Sequence, residues 1–512
     1  MTLFFGLRGS RLNHVALLGV VMPALMSIGY NQGLLGGVLT LPWFEAQFPE
    51  IDVSNAQPSE KHYKSTLRGT VVALYAVGGF LGAIACIAVG DLLGRRRTLI
   101  LASVIQMIGA FLMASSFSFS QLVVSRVILG LGTGAQLATA PMWQSEISPA
   151  AKRGAHVATI GIFVSTGLTL GLLVDLGMSY VPNSASWRVP VGLPIILCII
   201  VIVFTCQMPE SPRWLVRQGQ VSAAREVFAA LRDAEIDSEV VNKEILDVES
   251  SLAIAGKGTL RQIFQMGHQR IFHRAALATG GLTLLQLTGV NSITFYSTTI
   301  FQTNLQLDST TSRILAVIYQ FCGVIGGIVC VYTIEGFGRR VLWLSSAIAN
   351  TIAMVLVAAL SSQSTNTMAM HGAVVFIFIF HVSMVLGFGG IPFLYASEVA
   401  PLSLRTTING IGSSLYWALN VLIAEVTPIA FNAIGWKYFL IFACLNFAMI
   451  PVIYLFYPET AGLSLEDIDE VFIMSTGWFD AVRVAKQLPQ RLDGRQPEGD
   501  CLENKDNGAP KV

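Results

Sequence analysis

Apolar runs of about 20 residues recur from Val15 almost to Pro458, and a run of that length lets a helix cross the roughly 30 Å hydrocarbon core of a bilayer. In lipid every backbone N–H and C=O must find its partner inside the protein, so such runs fold as helices. Taking charges, Pro and Gly as breaks predicts spans at 14–39, 67–90, 98–117, 121–144, 155–177, 188–208, 273–297, 312–334, 341–361, 371–396, 406–431 and 436–457. The composition agrees. Apolar residues make up 53% of the chain and charged ones only 12%, against about 25% charged in a soluble domain. A surface so poor in charge belongs in lipid. The predicted fold class is an all-α polytopic membrane protein with twelve transmembrane helices in two six-helix bundles and cytoplasmic helices between them. A net charge of +1 gives no field that would draw nucleic acid.

The first run follows a start bearing Arg8 and Arg11 and stays apolar for more than 20 residues. A signal-peptide core spans about 7 to 15, so the run reads as an uncleaved first span. Arg95, Arg96, Arg97, Lys152, Arg153, Arg339, Arg340 and Arg405 all follow even-numbered spans. The positive-inside rule places those loops, and with an even span count both termini, in the cytoplasm. The first outer loop, with Lys61, Lys64 and Arg68, is the exception, though it also carries Glu45, Glu50, Asp52 and Glu60. The expected division is a cytoplasmic start at 1–13, a first bundle at 14–208, a linker at 209–272, a second bundle at 273–457 and a tail at 458–512. Within the linker, Ser222 to Arg232 and Val240 to Leu252 show apolar residues at helical spacing. Beyond about Gln487 the polar composition predicts disorder. The seven cysteines lie mostly in apolar runs and read as small core residues rather than a disulfide or metal framework.

Three motifs repeat. Acid-x-x-Gly-Arg-Arg occurs at Asp91 and Glu335, Glu-x-x-Pro-x-x-x-Arg at Glu146 and Glu398, and Pro-Glu-Ser/Thr at Pro209 and Pro458, with offsets of 244, 252 and 249 residues. Each copy follows the corresponding span of its half. The chain is therefore two similar halves, the construction by which transporters build a site at the interface between repeats. A single Arg at a helix end is an ordinary membrane anchor. Acids and bases paired at fixed spacing in both halves suggest a latch, because charges at helix ends and Arg–carboxylate bonds reinforce one another. Asp91, Arg95, Arg96, Glu146, Arg153, Glu210, Glu335, Arg339, Arg340, Glu398, Arg405 and Glu459 are the expected members of a cytoplasmic gate.

Taken together, GDLLGRRR at 90–97, PMWQSEISPAAKRG at 141–154, PESPRWL at 209–215, QLTGVNSITFYS at 286–297 and PETAGLSLEDIDEVF at 458–472 resemble the sugar porter family of the major facilitator superfamily, above all its fungal members. The resemblance runs from Gly29 to Glu470. It implies the major facilitator fold and transport of a sugar or sugar-like solute by alternating access.

Polar and aromatic side chains in an apolar helix are costly unless they face a cavity, and the seventh span has Gln286, Thr288, Asn291, Phe295 and Tyr296. The amides can both donate to and accept from a hydroxyl, or they can instead hold helices together. The resemblance implies the first role for Gln286, Asn291, Phe295 and Tyr296, with Phe393, Trp417 and Asn420 as second-half contacts. Departures from the family pattern lie nearby. Leu285 stands where a second Gln is usual, Ile160-Gly161 where the fifth span often carries Gln, Gly323 where the eighth has Asn, Phe393 where the tenth has Trp, and Tyr416 where the eleventh has Asn. Fewer amides suggest a solute less polar than glucose, or of a different shape.

Arg126 lies inside the fourth span, where a lone Arg costs about 2.5 to 3.5 kcal/mol on insertion scales and calls for a partner. Proton-coupled relatives supply a first-span Asp; here the stretch is Gly29-Tyr30-Asn31-Gln32-Gly33. Asn cannot bind a proton in the physiological range. Two readings follow. One is a facilitator in which Asn31 contacts Arg126; the other is a carbohydrate:proton symporter using Glu425 or Asp175. A carrier of a nonsugar metabolite and a nontransporting nutrient sensor are the remaining alternatives. No metal spacing, nucleophile elbow or phosphate loop points to an enzyme, and His381 reads as packed rather than ligating. The expected partners are a small solute, a sugar first, the lipid bilayer and, in the symport reading, protons. Neither a cofactor nor nucleic acid is expected, and a monomer in the plasma membrane is.

Overall fold

The structure, a computed structural model, describes residues 6–39, 41–52, 57, 60–255, 260–304, 308–363 and 366–487. Among the described residues, eleven helices are long and apolar enough to cross a membrane. In the first half they are Gly9–Val38, Thr66–Leu93, Arg95–Ala114, Phe119–Ile147, Lys152–Met178 and Ala185–Thr205. In the second they are Thr310–Phe337, Arg339–Ser361, Thr367–Val399, Arg405–Phe431 and Lys437–Phe456. A further crossing, the seventh in chain order, is broken into Ile271–Leu287 and Val290–Thr299, the latter running on into a π turn at Ile300–Asn304. Neither helical piece alone reaches the length of a span. With it the count is twelve.

The break has a local cause. Gly289 sits at φ +90°, which favours glycine, and a Cβ there would stand 2.5 Å from the Phe442 ring. The Thr288 carbonyl takes its hydrogen bond from Asn446 Nδ2 at 3.0 Å, so an acceptor released by the break is satisfied by the twelfth span. The tenth span is also irregular, with a π turn at Val385–Gly389 before Ile391–Val399. The first carries another at Leu17–Val21. Such turns gather at functional sites, and all three of these spans reach toward the axis between the halves. Across that axis small residues allow close approach: a Cβ on Gly327 would lie 2.9 Å from the Ile162 nitrogen, and one on Gly79 would meet the Trp417 ring at 2.5 Å.

Short helices cover one end of the bundle. The linker forms Pro212–Arg217, Val221–Arg232 and Glu239–Ala255, the last two pinned by Arg232–Glu244 at 2.7 Å. In the tail, Leu465–Met474 starts on a reciprocal cap between Ser464 and Asp467. Arg274 then holds this helix through Asp469, while Arg270 donates to the Ser475 and Gly477 carbonyls. The stretch predicted to be disordered, beyond 487, lies outside the described residues. No strand occurs among those described.

Candidate functional site: a charged latch and a central cavity

At the end covered by the short helices, the three repeated motifs of each half meet. Arg95 bonds Glu146 through Nε at 3.0 Å and Nη2 at 3.1 Å, a two-pronged contact, and reaches Asp91 at 3.1 Å. Gly94 holds φ +82° just before the helix that starts at Arg95. A Cβ there would stand 2.6 Å from Glu210 Oε2. The space lets the Glu210 carboxylate accept the backbone N–H groups of Arg95 at 2.9 Å and Arg96 at 3.1 Å, a favourable place for an anion at a helix start. Burial pushes the Glu210 carboxyl above the usual range, opposed by the N–H groups of Ser211 and Arg96 and by the charge of Arg95.

The second half repeats the arrangement. Arg339 bonds Glu335 at 2.9 Å and Glu398 at 3.1 Å, Gly338 sits at φ +84°, and Glu459 accepts the N–H groups of Arg339 and Arg340, each at 2.9 Å. Several contacts then join the halves. Glu146 also binds Arg405 at 3.3 Å, Thr406 donates to Asp91, Glu335 accepts the Ala155 N–H at 2.9 Å, and Arg153 donates to the Leu463 carbonyl at 3.4 Å. All twelve gate candidates thus lie in one charged layer. These contacts tie the two halves together at that end of the bundle.

Midway along the bundle a cavity opens between the halves, with an empty volume of about 630 Å³ counting the space at its mouth. The first half lines it with Ile28, Leu137, Ile160, Val164 and Leu168, to which Gln32 alone adds an amide. Most polar groups come from the second half: Gln286, Asn291, Thr294, His381 and Tyr416. Gln286 donates to the Tyr416 carbonyl at 2.9 Å and accepts from Asn291 at 2.6 Å. This bond orients the Asn291 amide beside the broken helix. Phe393 meets Tyr416 edge-on at 5.8 Å. Gln32 Nε2 and both ring nitrogens of His381 are buried without a hydrogen-bond partner.

Four predicted contacts lie outside the lining. Tyr296 turns away and donates to the Ala424 carbonyl at 2.8 Å, tying the outer piece of the seventh span to the eleventh. Phe295 brings its carbonyl to 3.4 Å from where a Cβ on Gly36 would stand, so its backbone meets the first span. Trp417 packs edge-on against Tyr75 at 5.6 Å and closes the gap between the second and eleventh spans. Asn420 is buried but does not reach the cavity. His381 departs in the opposite sense, since a residue expected to be mere packing faces the cavity. The predicted Asn31–Arg126 contact is likewise absent. Asn31 folds back on the Ser27 carbonyl at 2.7 Å, whereas Arg126 points to the second span, donating to the Val71 and Val72 carbonyls over the Tyr75 face. Glu425 is half-buried and outside the cavity lining. Asp175 is buried against Gly37 at the end opposite the latch, its Oδ1 without a hydrogen-bond partner.

The family model for sugar (and other) transporters matches residues 16–472. Sugar transporter STL1 of Saccharomyces cerevisiae is 31% identical over 498 residues, covering 96% of this chain and 86% of that protein. MFS-type transporter oryC of Aspergillus oryzae is 32% identical, covering 97% and 92%, and the high-affinity glucose transporter ght5 of Schizosaccharomyces pombe is 30% identical, covering 91% and 86%. In fold the chain is similar to the solved proton:xylose symporter XylE bound to 6-bromo-6-deoxy-D-glucose, with a TM-score of 0.80 at 20% identity over 91% of this chain and 100% of that one. The inward open form of XylE from E. coli gives 0.65 at 18% identity, covering 90% and 99%. A match that spans both halves and every repeated motif leaves one assignment: the chain belongs to the sugar (and other) transporter family, a multi-pass membrane transporter of the major facilitator fold.

Proposed function

We propose that this transporter carries a sugar or sugar-like, hydroxyl-bearing solute by alternating access, as a facilitator. The observation that carries this reading is the cavity between the halves, where the Gln286–Asn291 amide pair faces a largely apolar wall and the latch closes one end. Amides supply the mixed donors and acceptors that hydroxyls need, and the apolar wall suits a C–H face. The names of the relatives, among them a sugar and a glucose transporter, point the same way. The halves at 14–208 and 273–457 are the moving bodies. The latch end faces the cytoplasm of a plasma-membrane protein, because the basic loops lie there. Substrate enters at the opposite end, where the outer piece of the seventh span, hinged at Gly289, swings against the first.

The facilitator reading rests on Asn31, which offers no proton site, and on Arg126, which is satisfied by backbone carbonyls and an aromatic face. One observation favours a second reading: Asp175 is a buried acid with an unpartnered oxygen. Uptake of labelled D-glucose, D-xylose and sorbitol into reconstituted vesicles, with and without a proton gradient, separates the two. Downhill uptake indifferent to the gradient, in wild type and Asp175→Asn alike, is expected. Gradient-driven accumulation that vanishes in Asp175→Asn would replace the facilitator with a symporter, and no flux of any solute would overturn transport of this solute class.

A further inference from the structure

We propose that His381 is a solute-binding residue and that, with Gly323, it determines which hydroxyl pattern the cavity accepts. The inference rests on the transport reading above. His381 lines the cavity yet is only 2% exposed, and neither ring nitrogen has a hydrogen-bond partner. A buried polar group left unpaired costs about 1 to 3 kcal/mol, so a histidine here needs a partner that enters with the solute or the water it displaces. The ring is held in place rather than loose. It stacks on Tyr319 with centroids 4.0 Å apart and planes at 33°.

The geometry also gives the reason this position is free to act. A Cβ on Gly323 in the eighth span would stand 2.5 Å from His381 Nε2 and 2.7 Å from Ser165 Oγ of the fifth. The imidazole therefore fills the space that a side chain at 323 would claim, and the eighth span contributes shape without a polar group. Ser165, across the interface, belongs to the first half. The imidazole of the tenth span is thereby brought beside a hydroxyl of the opposite half, where a neutral ring can present one donor and one acceptor to a solute. Thr294, also in the lining, adds a second hydroxyl to this polar corner, apart from the Gln286–Asn291 pair. Two polar corners across one cavity fix a solute by two of its hydroxyls.

The test uses the full-length carrier in vesicles, with D-glucose, its deoxy analogues at each ring position, D-xylose and sorbitol as probes. His381→Phe keeps the stack on Tyr319 and removes both nitrogens. The expected result is a rise in KM of about 3- to 10-fold for the preferred solute, the size of one lost hydrogen bond, with little change for the one deoxy analogue that lacks the bonded hydroxyl. His381→Gln should recover part of the loss. Gly323→Ala should raise KM similarly by displacing the ring. Combined with His381→Ala it should add little further, because the ring it displaces is then gone and only the Ser165 hydroxyl, free to rotate, stands beside the new methyl. An unchanged KM and deoxy profile in His381→Phe, or a fall in maximal rate alone, would overturn the proposal and leave the histidine a packing residue. A wild type that moves none of the probes would instead strike the transport reading on which it rests.

Discussion

The charged end and the central cavity are built from opposite logics. In the latch, Arg95 and Arg339 meet carboxylates in duplicate geometry, and the two halves are near copies: Arg95–Glu146 at 3.0 Å against Arg339–Glu398 at 3.1 Å, each helix start capped by a glutamate. In the cavity the duplication is gone. The first half offers a wall with one amide, the second offers five polar side chains, and Gln32 and His381 keep unpartnered nitrogens. The difference teaches where each region can vary. The charged groups pair with one another, so their chemistry is internal and repeats; the cavity leaves polar groups unsatisfied, which is what the proposed solute binding needs.

If that contrast holds, damage to the two regions must differ in kind. Glu146→Gln, which weakens one bond inside the first half and one across the interface, should produce the largest effect. Removing one member of a buried ion pair costs about 3 to 5 kcal/mol, so uptake should fall by roughly 100-fold or more with the protein still present in the membrane. A smaller loss confined to KM would show that the latch is not a switching element. Gln286→Ala should come next, raising KM by about 10-fold through the loss of one or two hydrogen bonds, with the maximal rate nearly kept. An equal fall in rate for all solutes would move Gln286 from binding to scaffold. Glu210→Gln should do least. Its amide oxygen still accepts from the helix start, burial already works against the charge, and a lost helix-end charge is worth about 0.3 to 1 kcal/mol. A melting temperature lower by about 2 °C and uptake within twofold of wild type are expected in detergent and vesicles.

How much of this was legible in the sequence follows from what a local pattern can encode. Run length locates the spans because the bilayer sets it, and register between repeats brought Glu146 and Glu398 to the same end. The break after Leu287 stayed hidden, since glycine in a membrane helix is ordinary and only the Phe442 ring beside Gly289 shows why the helix stops there. Rotation was hidden too. Tyr296 and Trp417 sit in spans surrounded by other helices, where no polar face marks the cavity side, and both turned out to join helices. The place of His381 in the cavity lining was hidden for a related reason. The signal for it lies in another helix, as the missing side chain at Gly323.

Glu146 has one more consequence. Its carboxylate is shared between Arg95 of its own half and Arg405 of the other. When the halves part, Glu146 keeps Arg95, and Arg405 keeps its bond to the Ala400 carbonyl at 3.3 Å. Neither ion is stranded in a dry interior. In the proposed cycle the resetting step, with the carrier empty, therefore meets a lower barrier than a latch of isolated pairs would impose, and the rate of that return bounds turnover.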